Sequence, residues 1–60
     1  MGVFKNAVRA NASDEAATAT ALRDKAEEHE RNGNYRQAAV YNNAAAKADE
    51  RADVWRDLLR

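Results

Sequence analysis

Seven positions in the second half of the chain recur at alternating steps of three and four: Ala38, Tyr41, Ala45, Ala48, Ala52, Trp55 and Leu59. All seven are apolar. That spacing gathers them on one stripe of an α-helix, whereas a strand would scatter them over both faces. The sequence has no Pro, and its only internal Gly, Gly33, stands before the stripe. The pattern predicts a long helix over 35–60, with Arg36, Asn43, Lys47, Glu50 and Asp57 on its solvated side. A stripe this narrow is satisfied by a second helix laid along it.

That second helix is expected just upstream. Ala19, Leu22, Ala26 and His29 form an inward stripe over 13–32, and Ser13 followed by Asp14 and Glu15 reads as an N-cap with an acidic first turn. Gly33 suits the left-handed position that closes many helices, and Asn34 suits an N-cap for the next one. A turn of two residues, 33–34, forces the helices antiparallel. Residues 2–11 read as a further helical segment, with Val3, Phe4, Ala7 and Val8 on one face and Lys5, Asn6 and Arg9 opposite. This segment is either a short third helix or an extension of the first. The expected fold is therefore all-α: one small domain over 1–60, an antiparallel hairpin with a long second helix. A helix over 13–31 is too short to cover the far end of the second, and Phe4 and Val8 are placed to meet Val54, Trp55, Leu58 and Leu59 there.

Composition explains why the packing must be close. Hydrophobic residues make up 45% of the 60, but 15 of those 27 are Ala. Leu, Ile, Val and Phe together number only 8, a level found in disordered chains, yet the formal net charge is zero and strong helix formers dominate. The absence of Cys removes disulfides and thiolate metal sites. Zero net charge argues against a dedicated nucleic-acid binder or a polybasic membrane anchor. The longest apolar run, Ala38–Tyr41, is far too short to span a bilayer, and the N-terminus lacks a signal-peptide core. Asn6 stands where a myristoylation motif on Gly2 wants Ser or Thr. A cytoplasmic location without membrane insertion is the expectation.

Residues 21–48 resemble a single tetratricopeptide repeat, and the related hairpin of microtubule-interacting-and-transport domains. Gly33-Asn34-Tyr35 matches the turn that opens the second helix of such a repeat. Ala38 and Ala45 match its small residues on that helix, Ala26 the small residue of the first, and Leu22 a bulky apolar position. Lys25 departs from a position usually apolar, and His29 and Asn42 from positions usually aromatic. No Pro follows the second helix. The resemblance implies a scaffold that binds proteins.

No constellation points to catalysis, a metal or a cofactor. His29 is the only His, and neither the Glu-x-x-His spacing of di-iron bundles nor a zinc-binding His pair is present. Ser13 has no base at a recognisable spacing. Asp24, Glu27, Glu28 and Glu30 lack the loop that a calcium site needs. Tyr35 and Tyr41 read as hairpin packing, along with Leu22, Ala26, His29, Gly33, Ala38, Ala45, Ala48 and Ala52. The expected function is a small non-catalytic protein–protein interaction module, self-associating as a four-helix bundle of two hairpins or docking on a larger partner. Its expected contact patch is Phe4, Val8, Val54, Trp55, Leu58 and Leu59. The alternative is a nucleic-acid-associated regulatory protein using Lys5 with Arg9 and Arg31 with Arg36. Charge is segmental: +2 over 1–12, −4 over 13–30, +3 over 31–48 and −1 over 49–60. In a self-association, acidic first helices would meet basic stretches of a neighbour.

Overall fold

A computed structural model describes residues 2–60; Met1 lies outside the described residues. Two helices, α1 (Gly2–Arg31) and α2 (Tyr35–Asp57), pack against each other as an antiparallel hairpin. The molecule is a slim rod, 48 × 13 × 11 Å. Its radius of gyration is 14.0 Å, against about 10 Å for a compact domain of this length.

The N-terminal segment is an extension of α1, not a separate helix. The reason is phase. Val8, Ala12, Glu15, Ala19, Leu22, Ala26 and His29 continue one three-four spacing without interruption, and each is buried or half-buried. A cap at Ser13 would need non-helical backbone there and would break that phase. Ser13 instead lies exposed within the helix, which corrects its reading as an N-cap. Glu15, expected in an acidic first turn, sits on the seam and reaches across to Arg51 at 2.9 Å.

The turn is built as anticipated at Gly33 but not at Asn34. Gly33 has φ 78°, and its N–H donates to the Glu30 carbonyl at 3.0 Å. The Asn34 N–H donates to the His29 carbonyl at 2.8 Å. These two bonds make a Schellman closure and satisfy carbonyls that the helix end leaves free. Asn34 accepts from the Ala38 N–H through its backbone carbonyl, but its side chain makes no capping bond. Its ψ of 66° departs from the extended value that aims a capping side chain back at the helix. At the other end α2 stops at Asp57, and tighter bonds from Leu58 to Trp55 and Leu59 to Arg56 finish the last turn.

All seven positions of the α2 stripe face inward. Ala38, Ala45, Ala48 and Ala52 are buried, and Tyr41, Trp55 and Leu59 are half-buried. The centre of the core is Ala19 against Ala45 and Ala48, with Leu22 packed beside it. Among the described residues Val8 is the only fully buried side chain larger than Ala. Small side chains at every crossing let the helices approach closely, and each buries little apolar area.

Two substitutions test this packing. Ala48→Leu puts a large side chain where the facing helix leaves no room and should cost about 1–3 kcal/mol of stability. Gly33→Ala meets nothing within 4 Å of the new Cβ, so only its left-handed backbone resists; the expected cost is about 1–2 kcal/mol. Urea unfolding followed by circular dichroism at fixed protein concentration measures both. A neutral Ala48→Leu would mean the seam is not close-packed.

Candidate functional site

The register of the hairpin follows from its cross-helix contacts. His29 meets Tyr41, Arg23 meets Asp49 and Glu15 meets Arg51. In that register Val8 lies opposite the last turn of α2, and residues 2–6 run past it. Two sides of the rod then differ in chemistry.

One side holds the residues one place after the seam positions Leu22, His29, Tyr41 and Ala48. Arg23 and Asp49 form an ion pair there, and Asn42 Nδ2 donates to Glu30 Oε1 at 3.5 Å. Arg9, Arg56 and Tyr35 fall on the same side by helical spacing. Apart from Tyr35 and Ala16, it is polar.

The other side holds the residues one place before the Ala seam and those two places after it. On α1 these include Phe4, Ala7, Asn11, Asp14, Thr18, Ala21, Lys25 and Glu28. On α2 the large ones are Val40, Val54 and Leu58, with Ala44, Lys47 and Arg51 between. Phe4, Val40, Val54 and Leu58 are 61%, 65%, 63% and 53% exposed. The half-buried edges of Leu22, Tyr41 and Trp55 open toward this same side. Of the remaining exposed large apolar residues, Val3 lies on the outer back of α1 and Tyr35 beside the turn.

The anticipated contact patch is thus partly assembled. Phe4, Val54 and Leu58 share one face. Trp55 and Leu59 are half-buried on the seam. Val8 is 1% exposed and belongs to the core, because the unbroken α1 carries it onto the inward stripe. Tyr35, anticipated as hairpin packing, is 70% exposed: it precedes the inward position Ala38 by three and projects beside the turn. Val40 joins the face although no stripe announces it, since Lys47 and Arg51 interrupt its spacing to Val54 and Leu58. The remaining packing residues, Leu22, Ala26, His29, Ala38, Tyr41, Ala45, Ala48 and Ala52, are on the seam as expected.

His29 stacks on Tyr41 with ring centroids 5.2 Å apart and planes inclined by 16°. Its Nδ1 is buried without a hydrogen-bond partner. An open depression of about 400 Å³ is lined by Gly33, Asn34, Tyr35, Arg36 and Gln37. Among the described residues no three His, Asp or Glu side chains converge as metal ligands would. Lys5 and Arg9 lie near one end of the rod and Arg31 and Arg36 at the other, with about 33 Å of helix between Arg9 and Arg31. Arg31 pairs with Glu27 at 4.0 Å. These cations do not form one patch. Among the described residues no helix is long and apolar enough to cross a membrane. No protein-family model, curated protein or solved structure matches the chain.

The His29–Tyr41 stack ties the turn end together. A double-mutant cycle with His29→Ala and Tyr41→Ala should show a coupling of about 0.5–1 kcal/mol, since both rings are only half-buried. A coupling indistinguishable from zero would reduce the stack to chance proximity.

Proposed function

We propose that this chain is a small non-catalytic protein–protein interaction module that works through one face of its helical hairpin. The observation that carries the reading is the one-sided placement of large apolar side chains. Phe4, Val54 and Leu58 are exposed at one end of this side, with Val40 about 21 Å further along α2 beyond Lys47 and Arg51, while the opposite side is laced by Arg23–Asp49 and Glu30–Asn42. Isolated apolar residues on a surface mean little, but a contiguous group rimmed by polar residues marks an interaction site. Trp55 at the edge of that face is the residue type most often found in binding hot spots. The resemblance of residues 21–48 to a tetratricopeptide repeat points the same way.

Site-specific photo-crosslinking in the cell that makes the chain tests this reading. A benzophenone amino acid at position 58 should capture protein, and the same probe at position 42, on the polar side, should capture much less. Equal capture from the two positions, or none from either, would sink the proposal.

A further inference from the structure

We propose that the occupant of this face is a second copy of the chain, packed so that each α1 lies on the partner's α2 in a four-helix bundle. The inference rests on the interaction-module reading and specifies its partner.

Area is the first argument. The hairpin exposes 4511 Å², whereas a compact monomer of 6.7 kDa exposes about 3,900 Å². The excess is about 600 Å², close to the roughly 800 Å² that one partner buries in a standard interface. A face two helices wide and about 35 Å long is large enough to supply it. A two-helix rod covers each helix on one side only. A second rod covers the next side of all four helices at once.

Charge is the second argument, and it selects both partner and orientation. The face carries Asp14 and Glu28 against Lys25, Lys47 and Arg51, and Arg51 is neutralised by Glu15 of the seam, so two copies do not repel through it. The signs are sorted by helix. On α1 the face has two acids and Lys25; on α2 its only charges are Lys47 and Arg51. If α2 lay on α2 of the partner, four cations would crowd the two-fold axis. With α1 on the partner's α2, an acidic strip meets a basic one. Lys25 already pairs with Glu28 at 3.9 Å and Arg51 with Glu15. Asp14 has no ion pair among the described residues, and the two-fold along the rod sets the partner's Asp14 level with Arg51.

Either face-to-face orientation gives every neighbouring helix pair an antiparallel sense, as in up-down bundles, so the helix dipoles favour both and the charges decide between them. With α1 on the partner's α2, the two overhangs of residues 2–6 lie at one end of the bundle, where Phe4 of each copy faces the axis. The alternative orientation puts the two Phe4 residues at opposite ends of the rod.

The chain has no Cys, so single-Cys variants report the geometry directly. Sedimentation equilibrium up to about 100 µM should show a dimer, and Leu58→Glu should weaken it by about tenfold or more. Val54→Lys, a second exposed position, should do the same with helix content unchanged. Phe4→Cys should form a disulfide-linked dimer under mild oxidation, while Arg9→Cys, on the polar side at the same end, should not. A monomer throughout that range overturns the proposal, as does a dimer indifferent to both face variants, or one in which Arg9→Cys links as readily as Phe4→Cys. A monomer that still captures a different protein from position 58 overturns the second copy and leaves the interaction module standing. A monomer that captures nothing from that face overturns both.

Discussion

The close contact of two Ala-lined stripes is the constraint on which the rest depends. Among the described residues, seven of the eight buried hydrophobic ones are Ala. Ala costs no side-chain entropy in a helix and lets backbones approach, but it removes little apolar area from water. The hairpin therefore gains register and rigidity from its seam without gaining a large core. Large side chains cannot enter that seam without forcing the helices apart. They are displaced to its edges and flanks, where Leu22, Tyr41 and Trp55 are half-buried and Val40, Val54 and Leu58 are exposed.

That displacement is not even-handed. Polar side chains bridge the helices on one side through Arg23–Asp49 and Glu30–Asn42, and most of the displaced bulk lies on the other, Val3 and Tyr35 excepted. Exposed ion pairs contribute little stability. Their effect here is geometric: charged groups facing water on one side leave the other as the less costly place to desolvate. Even the bridge on the apolar side, Arg51 to Glu15, runs from a flank position back onto the seam, so the Arg stem lies along the surface of the rod.

Much of this was legible in the letters because helical phase is arithmetic. The α2 stripe and the left-handed Gly33 follow from spacing and from a single residue type. Local chemistry misleads where it competes with phase. Ser-Asp-Glu at 13–15 has the composition of a helix start, yet Val8 and Ala12 are already in step with Ala19 and Ala26, and continuous packing overrides a cap worth about 1 kcal/mol. The same misplaced boundary hid that Val8 is core and that Glu15 is on the seam. Tyr35 reads as inward because an aromatic after a turn commonly packs, yet it falls off the stripe that Ala38 begins and is 70% exposed. Val40 could not be found from its own periodicity, since Lys47 and Arg51 interrupt the row. It becomes visible only once the helix pairing fixes which flank of α2 shares a side with which flank of α1.

Separating seam from flank also separates two free energies that many small domains merge. In a hairpin with large core side chains, the residues that hold the monomer are also those that would bind a partner when exposed, and a change in one alters the other. Here the buried centre of the seam is Ala19, Ala45 and Ala48, too small to anchor an interface, and the flank holds residues that contribute little to the hairpin. Phe4, Val54 and Leu58 can change character without altering the backbone contacts of Ala19, Ala45 and Ala48. The flank is thus free to be tuned for what it meets, while the helices beneath it keep their register. A chain of 60 residues without Cys has few other ways to keep a defined shape and a sticky surface at once.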